Sequence, residues 1–188
     1  MMNERMAPAV PPYAPDIADA FTRIMPPGVE PLLLFRTMAR SPRVLQRMFA
    51  GNLLDRGTID LRERELMILR TCARCRAEYE WGVHVTMFGQ RAGFTEAEIA
   101  ATLADTADTG PWNEKEGAIV RLADELHDGA GISEALWQEL SAHFSSEQIL
   151  ELIALAGYYH AISFMANGLK LDGEHYAARF EQYAMKSR

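Results

Sequence analysis

The feature that most constrains the fold of this chain is a long apolar segment near its C-terminus, residues 149–169. Drawn as a helix, the segment carries apolar side chains almost all round its circumference. Ser145 and Gln148 precede it with the spacing of a capping box, which favours a helix start there. A helix that is apolar on nearly every side has to be surrounded by other elements. We therefore expect residues 149–169 to form a central buried helix.

The rest of the chain also has a helical pattern, because apolar residues recur every three or four positions and strand-type alternation is hard to find. Asp60 with Glu63, and Thr95 with Glu98, form further capping-box signatures. The predicted helices cover residues 16–24, 31–39, 43–54, 61 onward, 95 onward, 112–127, 133–144 and 149–169. The sequence thus predicts an all-α fold: a Pro-rich extended arm over residues 1–15, then a single helical domain over 16–188 with its core motif at 60–103.

Composition narrows the possible partners. The 188 residues carry a net charge of −7, and the basic residues are scattered. An acidic chain without a basic stripe argues against nucleic acid or an anionic membrane as partner. We also expect no membrane span, since no apolar run reaches the roughly 18 residues required. Two cysteines without a signal-like leader predict reduced thiols and a cytoplasmic location. A small-molecule substrate is the expected partner, with no cofactor.

Reactive side chains concentrate in one predicted helical hairpin, residues 60–93. Cys72 and Cys75 form a C-x-x-C there, and residues three apart on a helix share a face, so the pair could cycle between dithiol and disulfide. Arg70, Arg74 and Arg76 would favour a thiolate. The alternative is that both cysteines pack as small apolar side chains. A single C-x-x-C falls short of a zinc site, so no metal is predicted.

The same hairpin contains a carboxylate and imidazole group. Glu65 lies among apolar neighbours, where a carboxylate needs a partner or has a raised pKa; a salt bridge to a flanking arginine is the alternative. Glu80 and His84 have i, i+4 spacing, which suits a general base but also an ordinary structural pair. Tyr79 and Trp81 are more typical of core or interface aromatics.

The other histidines give weaker signals. His127 and His143 lie near predicted helix ends, where an imidazolium suits the helix dipole. His160 lies in the apolar C-terminal segment beside Tyr158 and Tyr159, so it could line the same cavity as the hairpin. A core histidine with a satisfied hydrogen bond is the simpler interpretation.

The hairpin resembles the core of the carboxymuconolactone decarboxylase and alkylhydroperoxidase D-like (AhpD-like) superfamily. The residues that carry the resemblance are Arg64-Glu65-Leu66, Ile68-Leu69-Arg70, Glu78-Tyr79-Glu80-Trp81, His84, Ala92-Gly93-Phe94-Thr95 and Glu98-Ile99. Looser similarity extends over most of the chain. The resemblance implies an all-helical fold and a homo-oligomer: a trimer, a hexamer or a dimer.

The chain departs from the peroxidase members of this superfamily in the position of its thiols. Their signature resembles C-x-x-C-x-x-x-H, with a glutamate twelve residues before the first cysteine. Aligned on His84, the cysteine positions fall on Ala77 and Glu80, and the glutamate position falls on Glu65. Tyr79 occupies a position where those members can carry a second histidine, so the resemblance adds it to the candidate catalytic residues. Acid and imidazole therefore carry over, whereas the thiols do not.

Three hypotheses follow. In the first, which we favour on the sequence, Cys72 and Cys75 form a peroxiredoxin-type redox pair five residues before the family's position, with protons relayed by Glu65 and His84. In the second, decarboxylase-like, His84 acts with Glu80 as acid or base on a small carboxylate or lactone, assisted by Glu65. An arginine would then hold the substrate carboxylate, with Arg70 and Arg76 the nearest candidates. The third is a non-catalytic helical assembly module.

Overall fold

The computed structural model describes residues 4–106 and 110–183, and within these residues the chain forms helices and no strand. The ends of the predicted arm and domain, residues 1–3 and 184–188, lie outside the described part. The helices are α1 (Pro15–Ile24), α2 (Leu33–Met38), α3 (Pro42–Ala50), α4 (Leu61–Arg74), α5 (Glu78–His84), α6 (Glu96–Ala101), α7 (Glu114–Gly129), α8 (Glu134–His143), α9 (Ser146–Leu169) and α10 (Phe180–Tyr183); a π-helical turn, Val85–Gly89, continues α5. The predicted all-α fold is confirmed.

Side chains cap the main helices where the sequence indicates. Asp60, Thr95 and Ser145 each accept a hydrogen bond from the backbone N–H three residues on, and the residue there returns a bond to the cap. The sequence missed a further capping box at Asn113, which starts α7 two residues later than predicted. Each cap satisfies backbone donors that a helix start leaves open.

The central element is α4 rather than α9, which corrects our expectation for residues 149–169. Residues 65–72 of α4 are all buried, and α7 and α9 pack against this helix. In contrast, α9 is buried on one face, through residues such as Leu152, Leu155 and Tyr159, and exposes Leu150 and Phe164 on the other. The apolar pattern of a segment does not show whether its side chains are buried within the chain or exposed on its surface, because the helix is apolar all round in both cases.

Two apolar clusters hold these helices together. The larger joins α4, α7, α8 and α9 around Trp81. The smaller packs α1, α2 and α3 against Tyr79, Val83 and the C-terminal half of α9. Helix α5 therefore contributes one face to each cluster, which fixes its orientation relative to α4.

The N-terminal arm contacts its own chain. The backbone N–H of Arg5 donates to the carbonyl of Leu169, and that of Ala9 donates to the carbonyl of Arg36. The arm thus crosses the ends of α9 and α2, at least over residues 5–9.

One helix in the described ranges, α9, is long and apolar enough to cross a membrane by length and composition, contrary to our expectation. That is weak evidence for a span, because a core helix passes the same test, and 44% of its most apolar window is buried in this fold.

Candidate functional site

A fully buried carboxylate, Glu65, lies in the middle of α4. Its Oε1 accepts two hydrogen bonds from the guanidinium of Arg64, from Nε at 3.0 Å and Nη2 at 2.9 Å. Its Oε2 lies 2.7 Å from Nδ1 of His84 on α5. Both oxygens are therefore paired, as a buried charge requires. The salt bridge to a flanking arginine and the pairing with His84 exist together.

The second nitrogen of His84 faces two further groups. Nε2 lies 3.1 Å from the hydroxyl of Tyr159 on α9 and 3.4 Å from Oε1 of Glu80. The other oxygen of Glu80, Oε2, is buried and has no hydrogen-bond partner within the described structure. Burying a carboxylate oxygen without a hydrogen-bond partner costs free energy, and a catalytic role is one reason why a protein keeps such a group. We call Glu65, Glu80, His84 and Tyr159 the His84 network.

The His84 network makes the imidazole a strong base. Burial would lower the pKa of His84, but the charge and hydrogen bond of Glu65, helped by Glu80, outweigh burial and raise the pKa to about 9. His84 is consequently an imidazolium at neutral pH, with an N–H on each nitrogen. It begins any proton transfer as an acid. The sequence had assigned its orientation to Glu80, whereas Glu65 makes the shorter contact.

Next to the His84 network the chain leaves regular α-helix. The π-helical turn at residues 85–89 follows His84 directly, and such turns are frequent at functional sites. The turn carries Phe88, whose ring centroid lies 5.2 Å from that of His84 and 5.6 Å from the guanidinium carbon of Arg64. Phe88 is only partly buried, whereas His84 beside it is buried.

The structure places the two thiols less favourably than the sequence suggested. Cys72 is fully buried in the last turn of α4, and Cys75 is the half-buried residue that caps its C-terminus. Burial raises the pKa of both thiols, and the charge of Glu80 raises that of Cys72 further. A helix C-terminus also disfavours an anion. Neither thiol is a resting thiolate at neutral pH.

The arginines that were expected to favour a thiolate have other partners. Arg70 is buried and binds Asp124 through two hydrogen bonds, from Nε at 2.6 Å and from Nη2 at 2.8 Å. Arg74 pairs with Asp124 and Asp128. The pairing of Arg70 also removes it as a ligand for a substrate carboxylate. Arg76 is exposed at the turn between α4 and α5.

Tyr79 lies in the smaller apolar cluster. Its hydroxyl donates to Glu174 at 2.7 Å and accepts from the backbone N–H of Leu34 at 3.0 Å. Burial raises its pKa far above the ordinary tyrosine value. These contacts tie the C-terminal segment to α2, which is a structural role for a residue that the sequence had placed among the catalytic candidates.

Sequence analysis missed one member of the site. Tyr159 lies 75 positions from His84 and no local spacing connects them. Arg64 is one of the flanking arginines for which a salt bridge to Glu65 was the expected alternative. Of the predicted residues, Glu65, Glu80 and His84 form one hydrogen-bonded group. Cys72 lies close enough to Glu80 for the charge of that carboxylate to raise the pKa of the thiol.

A known protein family matches the part of the chain that carries most of this site. The model of the carboxymuconolactone decarboxylase family matches residues 41–125, which include Glu65, Glu80 and His84. Tyr159 lies outside the match. No curated protein matches the chain significantly.

Solved structures share the fold over nearly the whole chain. An uncharacterised peroxidase-related protein from Ralstonia eutropha JMP134, described as an alkylhydroperoxidase AhpD core, is 17% identical with a TM-score of 0.80, covering 92% of this chain and 93% of that one. A peroxidase-related protein from Silicibacter sp. TM1040 is 15% identical, with a TM-score of 0.75 and coverage of 96% and 99%. The debrominase Bmp8, solved with 2,3,4-tribromopyrrole, is 16% identical, with a TM-score of 0.71 and coverage of 97% and 96%.

Proposed function

We propose that this chain is a member of the carboxymuconolactone decarboxylase and AhpD-like superfamily and an acid–base enzyme acting on a small carboxylate or lactone. The observation that carries the proposal is the buried contact of 2.7 Å between Glu65 and His84, together with the unpartnered Oε2 of Glu80. This ranks the decarboxylase-like hypothesis above the thiol hypothesis that the sequence favoured.

Each residue of the His84 network has a role in this proposal. His84, as the imidazolium, donates a proton to the substrate from Nε2, the nitrogen that faces Tyr159 and Glu80. Glu65 holds the ring through Nδ1 and stabilises its positive charge. Glu80 accepts a substrate proton at Oε2. A general acid and a general base side by side let one proton arrive while another leaves.

The fold supports such chemistry by excluding water. His84 and Glu80 are both buried. In a site from which water is excluded, charged side chains interact more strongly with each other and with a negative charge that develops on the substrate than they do in bulk solvent. A substrate would enter past Phe88, the partly buried residue beside the imidazole. Arg76, exposed at the α4–α5 turn, stays the candidate from the sequence for holding a substrate carboxylate.

The test is turnover of a panel of carboxylated γ-lactones, followed by loss of ultraviolet absorbance. Wild type, Cys72→Ala and Cys75→Ser should turn over at least one substrate at similar rates. His84→Gln and Glu80→Gln should lose roughly 10²–10⁴-fold in kcat. Equal rates in His84→Gln and wild type would overturn the assignment, as would loss of turnover in Cys75→Ser alone.

A second candidate, the peroxiredoxin-type thiol oxidoreductase, is favoured by one observation: the half-buried Cys75 lies three residues after the buried Cys72, and both are free thiols. Cys75 would attack a hydroperoxide, forming a sulfenic acid and releasing an alcohol. Cys72 would then displace water to form the disulfide. The fold shared with peroxidase-related proteins is compatible with this activity.

Titration of free thiols before and after one equivalent of cumene hydroperoxide tests this second candidate. Loss of both thiols in wild type, with the single remaining thiol retained in Cys75→Ser, supports it. Thiols that stay reduced at neutral pH would remove it. The result of the thiol titration does not decide the acid–base proposal. That proposal is tested separately by the lactone assay, in which the cysteine variants are expected to stay active.

A further inference from the structure

A second group of chemically reactive side chains lies outside the His84 network, where three helices meet. Cys75 caps the C-terminus of α4, His127 lies in the last turn of α7 and His160 lies in the middle of α9. Sγ of Cys75 lies 3.8 Å from Nδ1 of His127, which lies 3.0 Å from Nε2 of His160. All three atoms are within 4.8 Å of one another.

These separations suit a tetrahedral metal ion. Zinc binds sulfur at about 2.3 Å and imidazole nitrogen at about 2.0 Å, so tetrahedral angles place S and N about 3.6 Å apart and two N atoms about 3.3 Å apart. The observed separations of 3.8 and 3.0 Å differ from these values by a few tenths of an ångström, and the third pair, Sγ of Cys75 and Nε2 of His160, lies within 4.8 Å. Binding of an ion would therefore require the side chains to move closer together.

The surroundings of the cluster fix the ligand atoms. Nδ1 of His160 lies 2.8 Å from the carbonyl oxygen of Ala156, to which it donates, so Nε2 carries the lone pair and faces the cluster. Metal-binding histidines characteristically use their second nitrogen in this way. The amide of Asn167 donates to the carbonyl of Cys75 at 2.9 Å, and Arg76 continues in a left-handed conformation, with φ of 52°. These contacts hold the backbone at Cys75, and with it the Cα–Cβ bond of that residue.

We propose that Cys75, His127 and His160 form a binding site for a thiophilic divalent metal ion, zinc in the first instance. One thiolate and two imidazoles are ligands that favour zinc, cobalt or copper over magnesium or calcium. All three side chains are half-buried, so an ion can enter from solvent. Three protein ligands leave the fourth position for water or another exogenous ligand. The inference is independent of the His84 network.

The experiment is titration of the full-length, chelator-treated protein with Co²⁺, followed by competition with Zn²⁺. We expect one equivalent of Co²⁺ to bind with a thiolate-to-cobalt charge-transfer absorption band, which Zn²⁺ then abolishes. Cys75→Ser should lose the band, and His127→Gln and His160→Gln should each weaken binding at least 10-fold. His143→Gln, which changes a half-buried histidine on α8, is the matched control and should bind normally.

Circular dichroism of each variant establishes that the fold is intact before metal is added. Binding of Co²⁺ to Cys75→Ser with unchanged affinity and spectrum would overturn the site, as would the lack of any stoichiometric binding to wild type. Equal weakening in His143→Gln and His127→Gln would also contradict it, since the effect would then be general to histidine removal.

Discussion

At the scale of single residues, the charge of His84 depends on one oxygen. Oε2 of Glu65 holds Nδ1 at 2.7 Å in a buried site, and the result is an imidazole whose pKa is raised to about 9. Burial by itself would have had the opposite effect. The neighbouring Glu80 contributes less, at 3.4 Å.

Glu65→Gln should therefore lower the pKa of His84 by roughly one to two units, because burial would then be opposed only by Glu80. NMR titration of the His84 ring resonances measures this change. Glu147→Gln, at the exposed start of α9, is the control and should leave the titration unchanged. An unaltered pKa in Glu65→Gln would contradict the assigned pairing.

The raised pKa also predicts how stability depends on pH. An unfolded histidine releases its proton near pH 6.5, whereas folded His84 keeps it to about pH 9. The stabilisation is therefore complete below about pH 6.5 and is lost as pH rises through about 9. At roughly 1.4 kcal/mol per pKa unit, the loss is about 3 kcal/mol.

Urea unfolding of wild type at pH 6.5 and pH 9.5 measures this loss. His84→Gln, which has no group titrating at that position, should lose markedly less stability over the same interval. Parallel curves for the two proteins would show that other groups account for the pH dependence.

At the scale of elements, the close approach of α5 to the C-terminal segment depends on a glycine. A Cβ added at Gly82 would lie 2.0 Å from the carbonyl oxygen of Ala178. The backbone N–H of Ala178 also donates to the carbonyl of Gly82 at 3.3 Å. In an isolated helix alanine would be preferred over glycine by up to about 1 kcal/mol. Packing reverses that preference.

Gly82→Ala should destabilise the protein by roughly 1–3 kcal/mol, since backbone has to shift to relieve the contact. Gly168→Ala is the matched control, because a Cβ at this α9 position meets no atom of the described residues within 4 Å. The control should be neutral or slightly stabilised. Chemical denaturation of both variants checks the difference, and a stable Gly82→Ala would mean that α5 can separate from the C-terminal segment at low cost.

At the scale of the whole molecule, the exposed face of α9 indicates how copies could associate. Leu150 and Phe164 are 67% and 69% exposed, and the exposed positions between them are Ala154, Gly157 and Ala161. The spacing alternates between four and three residues, as in helix–helix contacts. The pattern is nearly symmetric about Gly157. An antiparallel second copy would therefore place each Leu150 opposite the partner's Phe164.

We propose that the homo-oligomer expected from the sequence is built on a twofold contact through this α9 face. Ala161→Glu would place a charge in the contact and should yield monomers in light scattering after size exclusion. Val10→Glu, at a residue that is 68% exposed on the arm, should keep the wild-type assembly. A monomeric wild type, or an Ala161→Glu variant with unchanged mass, would exclude the contact.

The cytoplasmic location stays a prediction.

The sequence by itself predicted several helix caps and three members of the candidate site. Asp60, Thr95 and Ser145 could be identified as helix caps because capping depends on side chains within three residues. The register of Glu65, Glu80 and His84 followed from resemblance within a single hairpin, and these three side chains do form one group.

Only the tertiary structure decided the rest. Tyr159 beside His84, Asp124 beside Arg70, and His127 and His160 beside Cys75 are contacts between helices far apart in sequence. Helical spacing determines which residues share a face. It does not determine which face meets which neighbouring helix, because that depends on how all the apolar surfaces pack together. For the same reason, the sequence did not show that α4, with its arginines and glutamates, occupies the centre. Nor did it show that the more apolar α9 keeps one face exposed.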